Sequence, residues 1–330
     1  MSYTEKIMKI KILSLLLLMS LLFTGCKVED KKTTTDQTTV DNTQQETPPE
    51  RTDFRVLISS DIHCTFLNKW YGLSNEERMQ HWVNSVLAEH AKHPIDLIIF
   101  AGDLSLDFWG NGGSYTRFEK STTKEFIEKY VSQIPDEIAK LYLPGNHEAF
   151  ANDMWREITG NDRACSYLLG NNLFICPDSF RVDTTPDYNT DGRYTPIDVQ
   201  FIKGEMEKYP ETNVFLVSHH FQMSQETAQF KTLLQNKRIV GLFQGHTHIS
   251  DLITLGADCG YKIIAQSGHF AFSEAADPVN DFWGFREIVI TKDGAVSSYI
   301  QVQSKADAKK IGKMIDVPAR VQNVQTYKFK

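Results

Sequence analysis

The sequence predicts an α/β fold in which helices cover β-sheets. Short apolar runs alternate along the chain with amphipathic stretches of helical period. Beyond residue 251 the pattern turns strand-rich. The composition agrees: 330 residues that are 41% hydrophobic, 23% charged and 11% aromatic are those of a globular chain. A mostly disordered protein, a collagen-like repeat and a multi-span membrane protein are excluded on these grounds.

Taken in order, residues 1–25 read as an export signal. Lys6, Lys9 and Lys11 form a basic start, and Ile12 to Phe23 is an apolar run broken only by Ser14 and Ser20. That run is shorter than the roughly 20 residues a bilayer span needs. It ends in Phe23-Thr24-Gly25-Cys26, which resembles a bacterial lipoprotein signal. The resemblance implies that Cys26 is lipidated and becomes the new N-terminus. It places the protein in the bacterial cell envelope, lipid-anchored outside the cytoplasm. Residues 26–52 hold eight threonines, no aromatics and only Val28 and Val40 as aliphatics. Such a segment cannot bury enough surface to fold and reads as a disordered tether.

The globular domain is expected over 53–330. Phe54–Ser59 reads as a strand. Residues 74–93 read as a helix, with Ser74 and Glu77 as a capping box and Met79, Trp82, Val83, Val86 and Leu87 on one face. A buried strand follows at 95–100, then a helix at 122–133 opened by Thr122 with Glu125, then a strand at 140–143. A hairpin is expected between Tyr167 and Cys176, and a helix at 196–208 starting at Pro196. Strands at 214–217, 239–243, 261–265, 285–290 and 296–302 complete the reading. The hairpin has a sharper consequence. A two-residue turn at Gly170-Asn171 sets Leu169 opposite Asn172, Tyr167 opposite Phe174 and Cys165 opposite Cys176, within reach of a disulfide; a turn at Asn171-Asn172 instead shifts the register by two and separates the sulfurs.

The chemistry sits directly after five of these strands. The clusters are Asp61-Ile62-His63, Gly102-Asp103, Gly145-Asn146-His147-Glu148, His219-His220 and Gly245-His246-Thr247-His248. Carboxyl ends of strands converge on ligand sites in α/β sheets. Imidazole, carboxylate and one amide oxygen are the donors of a hard-to-borderline metal site. Asp61 and His63, and likewise His246 and His248, are two residues apart, the spacing that puts side chains on one side of an extended backbone. Asn146 and His147 are adjacent, so one can bind metal while the other faces a substrate. Either member of His219-His220 could be the ligand. Each cluster alone is also a common turn; their joint occurrence, in order, each at a strand end, is what points to a metal site.

On these motifs the chain resembles the calcineurin-like metallophosphoesterase superfamily, from Ser60 to about Ser250. The resemblance implies a β-sandwich of two mixed sheets flanked by helices, with a dinuclear metal site at the carboxyl ends of strands. Carried over, Asp61, His63 and His248 would hold one ion, and Asn146, His219 and His246 the other. Asp103 would bridge them. His147 would stay off the metals and face the phosphate as the catalytic group. The ions would be two divalent or mixed-valence transition metals: Mn, Fe or Zn. Purple acid phosphatases of this superfamily carry a tyrosine three residues after the bridging aspartate. Here that place is Leu106, so no tyrosinate-to-iron colour is expected.

The implied reaction is hydrolysis of a phosphate ester by hydroxide bridging the metals, on a small-molecule mono- or diester substrate. Diesters or nucleotide-like esters are favoured over proteins. The whole chain has a net charge of −7, or −9 without residues 1–25, which speaks against a nuclease for long nucleic acid. The alternative is a lipoprotein that binds metal or a phosphorylated ligand without turnover. An inactive chain would be expected to have lost ligands, and none is missing. Glu148 would orient His147 or stand at the surface. His269 would line the cleft or be a hydrogen-bonded structural residue. Trp109–Gly113 would form a substrate-facing or plain surface loop.

Overall fold

The computed structural model describes residues 51–65, 73–107, 121–181, 192–271, 283–302 and 321–329. The export signal, Cys26, the tether up to residue 50 and the Trp109–Gly113 stretch lie outside them.

The expected sandwich of two mixed sheets is present. In the first, β1 (Phe54–Ser59), β2 (Leu97–Ala101) and β3 (Ala139–Leu143) run parallel. The second sheet contains the hairpin β4 (Cys165–Leu169) and β5 (Asn172–Cys176). A short ribbon, β6 (Phe180–Arg181) and β7 (Arg193–Tyr194), precedes the next two strands of the second sheet, β8 (Asn213–Ser218) and β9 (Ile239–Gln244). β10 (Leu252–Thr254) and β11 (Ile263–Gln266) complete that sheet, in the order β10-β11-β9-β8-β5-β4. β12 (Gly284–Thr291), β13 (Gly294–Gln301) and β14 (Val321–Lys328) return to the first, giving β14-β13-β12-β1-β2-β3.

Strand periodicity explains the layering. Successive residues of a strand face opposite sides, and these central strands are apolar on both. In β1, Val56 and Ile58 join the core between the sheets, with Phe174, Phe215, Val217 and Phe243 from the other side. Leu57 faces the opposite way, into a core with Trp82, Val83 and Phe126. A third core holds Leu173, Val214 and Leu216 against two helices, α4 (Val199–Lys208) and α5 (Ala228–Leu234). Continuous apolar runs are therefore needed where helices cover the outer faces.

Helix α1 (Asn75–Lys92) has the expected capping box: Ser74 accepts from the Glu77 amide, and Glu77 accepts from that of Ser74. The helix expected over 122–133 is altered. Ser121, not Thr122, is its cap, its hydroxyl accepting from the Lys124 amide, while Thr122 bonds the buried Asp107 through both its amide and its hydroxyl. Only α2 (Thr122–Glu125) is α-helical; a π turn at Phe126–Tyr130 and a 3₁₀ turn at Val131–Gln133 follow. The wide turn keeps both Phe126 and Tyr130 in the core, with the Phe126 ring 5.2 Å from Trp82. The helix expected to start at Pro196 begins later. The Ile197 amide is taken by Glu226, and Asp198 caps the first turn by accepting from Gln200 and Phe201. Helices α3 (Asn152–Thr159) and α5 and strands β10 and β14 were not anticipated.

The hairpin register is as the two-residue turn requires, including Cys165 opposite Cys176. Both cysteines are free thiols.

Candidate metal centre

All five polar clusters follow the last residue of a strand. Asp61 and His63 come after β1, Asp103 after β2, Asn146 and His147 after β3, His219 after β8, and His246 and His248 after β9. Two sheets contribute, so the site lies across one end of the sandwich.

The donor atoms converge on the Asp103 carboxylate. Its Oδ2 is 3.2 Å from His219 Nε2, 3.6 Å from His63 Nε2 and 3.7 Å from His147 Nε2. On one side, Asp61 Oδ1 is 3.3 Å from His248 Nε2 and 4.0 Å from His63 Nε2. On the other, Asn146 Oδ1 is 3.1 Å from His219 Nε2 and 3.0 Å from His246 Nδ1. Three overlapping sets result, Asp61/His63/His248, His63/Asp103/His147 and Asp103/His219/His246, each with its donor atoms within 4.8 Å of one another. All seven residues expected as ligands are thus brought together. His219, the first of its pair, faces Asp103. His220 stands outside that cluster, its ring 4.5 Å from that of His246. His147, expected to stay off the metals, joins one of the donor sets, with His63 and Asp103.

The backbone reaches this arrangement differently from the extended i, i+2 geometry expected. Asp61, His63, Asp103, His246 and His248 all have left-handed φ, between 51° and 69°. Such residues are costly unless the surroundings over-determine them, and they cluster at functional sites. Here the surroundings do. Asp61 N donates to Gly102 O, His63 N to Asp103 O, and His246 N to Asp61 Oδ2 at 2.9 Å. Glycine is required beside them: a Cβ on Gly145 would stand 2.1 Å from Asp103 Oδ1, and one on Gly102 2.4 Å from His219 Nδ1.

Electrostatics sets the protonation states. Burial pushes the Asp61 carboxyl up, but His248 more than offsets this and holds it low. Asp103 likewise lies well below the usual carboxylate range, its burial outweighed by His219 and His147. Burial lowers His63 to about 4 and also depresses His246, favouring the neutral imidazoles that metal ligation uses. His219 goes the other way, to about 9, because the Asp103 charge beside it outweighs its burial. That same negative field favours a cation. His219 Nδ1 lies 2.8 Å from Ala101 O; donating there, it turns Nε2 to Asp103, where a bound cation would displace the Nε2 proton.

Four residues support the cluster, two of them, Arg78 and Arg163, without a role in the sequence reading. Glu148 does not stand at the surface. It is fully buried and accepts from the amides of Asp103, Ser105 and Gly145 at 2.8–2.9 Å. It thereby ties the loop after β2 to the loop after β3. Burial, with Asp103 beside it, raises its carboxyl to about 7. Arg78, buried in α1, donates to the carbonyls of Ile62, His63 and Phe270. Its place four residues before Trp82, on the apolar face, was the available signal. Arg163 does the same for the third loop, donating to the carbonyls of Glu148, Phe150 and Phe180. His269 is buried, its Nδ1 within 2.8 Å of Ala271 O, and it stacks on His248 with centroids 5.3 Å apart. It is the structural residue of the two alternatives.

A family model described as calcineurin-like phosphoesterase matches residues 54–250. The chain belongs to that family. Its members hydrolyse phosphoester bonds with divalent metals, and the clustered carboxylates, imidazoles and amide oxygen of this calcineurin-like phosphoesterase fit such ions in donor type and spacing. No curated protein matches the sequence. Among solved structures, the phosphoesterase is similar to GAP50, the anchor in the inner membrane complex of Plasmodium. The TM-score is 0.51 at 10% identity, over 85% of this chain and 90% of that one. It is also similar to PhoD, with a TM-score of 0.52 at 11% identity, over 76% of this chain and 66% of that one. At these identities the likeness is one of fold.

The buried arginines of this phosphoesterase make a stability prediction. Arg78→Met keeps much of the side-chain volume but leaves the carbonyls of Ile62, His63 and Phe270 without their guanidinium donor. Unsatisfied buried acceptors cost about 1–3 kcal/mol each. A loss of about 3 kcal/mol or more is expected in denaturant unfolding. A variant as stable as the parent would show that the loop is held by other contacts.

Proposed function

We propose that this phosphoesterase hydrolyses small-molecule phosphate esters at a centre of two divalent or mixed-valence transition metal ions. Asp61, His63 and His248 hold one ion; Asn146, His219 and His246 hold the other; Asp103 is shared. The observation that carries this reading is the position of Asp103 Oδ2, which belongs to donor sets on both sides of the cluster. When bound, such ions supply an activated water at neutral pH and neutralise phosphoryl charge. The chain does the rest. Glu148 and the two buried arginines fix the loops that carry the ligands. His147, tied through its amide to Asp103 Oδ1 at 3.0 Å, presents its imidazole to the leaving-group oxygen and gives it a proton.

Metal analysis combined with a screen of phosphomonoesters, cyclic nucleotides and glycerophosphodiesters tests the reading. Two ions per chain are expected, with turnover lost on chelation and restored by Mn, Fe or Zn. Two ions with no turnover on any ester would favour the non-catalytic binding reading instead.

We further propose that the enzyme is anchored to the cell envelope through a lipid on Cys26, on the strength of the apolar run and the Thr24-Gly25-Cys26 sequence that ends it. Cys26→Ser is expected to release the protein from membranes or leave its precursor uncleaved. A mature N-terminus mapped elsewhere, with no acyl mass, would remove the anchor.

A further inference from the structure

The hairpin β4–β5 places two thiols opposite each other at a point that supports the metal centre. Cys165 and Cys176 are direct partners in the antiparallel register. Opposed residues of such a pair have side chains on one face and Cα atoms about 4.5 or 5.5 Å apart. Both values lie within the range of about 4.4–6.8 Å that a disulfide spans. Burial pushes the Cys176 thiol well up, and the neighbouring Cys165 thiol pushes it further. The environments differ. Cys176 is fully buried in the core between the sheets, whereas Cys165 is only half-buried and packs against that core from the edge strand. Cys64 and Cys259 are buried in the two other cores.

The geometry points to a modification site: Cys165 and Cys176 form an intrachain disulfide when the folded protein meets a small-molecule disulfide oxidant. The half-buried Cys165 is the entry. Its thiolate attacks one sulfur of glutathione disulfide, forming a mixed disulfide and expelling one glutathione thiolate. The Cys176 thiolate then attacks the Cys165 sulfur and expels the second. The protein dithiol loses two electrons, glutathione disulfide gains them, and the two thiol protons end on the two glutathiones. No backbone rearrangement is required, because the register already opposes the two residues.

The bond would act on the support of the site. Cys176 ends β5, and the chain continues through Pro177 and Asp178 to Phe180. Pro177 O accepts from Ser218, the residue before His219, and Asp178 pairs with Arg163 at 2.7 Å. The Phe180 ring stands 5.4 Å from His219 and 5.9 Å from His246. On the other side, Cys165 lies against the Tyr142 carbonyl of β3, the strand that leads to Asn146 and His147. A covalent link therefore closes the edge strand β4 onto the element that backs two of the proposed ligands.

The test is peptide mapping of the folded full-length protein after incubation with glutathione disulfide, with free thiols alkylated under denaturing conditions. A linked species containing Cys165 and Cys176, lighter than the dithiol pair by two hydrogens, is expected, with Cys64 and Cys259 alkylated. Dithiothreitol should reverse it. In Cys176→Ala the reaction should stop at the mixed disulfide on Cys165. Alkylation of both Cys165 and Cys176 in the parent overturns the proposal. So does a stable glutathione adduct on Cys165 with Cys176 free. The readout is independent of metal content and turnover, so it stands or falls apart from the proposed activity.

Discussion

Asp103→Asn is expected to abolish hydrolysis while leaving the fold intact. The substitution removes one negative charge at the point where the donor sets meet. Asp103 Oδ2 is within 3.7 Å of imidazole nitrogens from His219, His63 and His147. An amide there offers one neutral oxygen and one N–H₂ that repels a cation. Losing a shared anionic ligand is a matter of several kcal/mol, and each 1.4 kcal/mol or so is tenfold in rate. A fall of about 10³-fold or more in kcat/KM is therefore expected, with metal content below two per chain. Folding is preserved for a specific reason. Asp103 has φ of 52°, and asparagine is among the few residues that adopt the left-handed region readily. Circular dichroism should match the parent. If the variant kept wild-type turnover with two ions bound, the bridging assignment would be wrong.

His147→Ala is expected to separate chemistry from binding. The residue is 8% exposed, and its ring meets that of His63 edge-on with centroids 5.1 Å apart. Its amide bond to Asp103 survives the substitution, because it is a backbone donor. Both ions should remain, and kcat should drop by about 10²-fold or more, the usual contribution of a positioned proton donor. The loss should shrink for nitrophenyl esters, whose leaving group needs no proton. The geometry makes the metal count decisive. His147 Nε2 lies in one donor set with His63 and Asp103, so loss of an ion in this variant would make His147 a ligand and leave the proton donor to be found elsewhere.

Distance along the chain separates what neighbours reveal from what they do not. Glu148 follows His147 directly, yet it is a buried clamp whose partners Asp103 and Ser105 lie more than forty positions earlier. Arg78 stands on the apolar face of α1, but nothing near it or near Arg163 says which distant carbonyls the two guanidinium groups hold. Asp61 and His63 do meet in the cluster, but not through an extended backbone. β1 ends at Ser59, and both residues have left-handed φ beyond it. The helix at 122–133 was misread in the same way. Thr122 serves Asp107, and the π turn that follows exists to seat two aromatic rings in a core built by α1.

By itself the sequence determined what is encoded locally. That includes the strands β1, β2, β3, β8 and β9, the polar cluster after each, and the capping box of α1. Strand periodicity, cap chemistry and turn length act within a few residues, so they can be read from neighbours alone. The order of the five clusters was enough to indicate the family. Only the tertiary structure decided that polar clusters from two sheets meet, with His246 N bonded to Asp61 across 185 positions. It also decided that Asp103 stands between the donor sets, that His219 rather than His220 faces it, and that buried guanidinium groups and one buried carboxylate hold the loops in place. These are contacts between groups distant in sequence, and their energy comes from burial and from hydrogen bonds that exist only once the sandwich has closed.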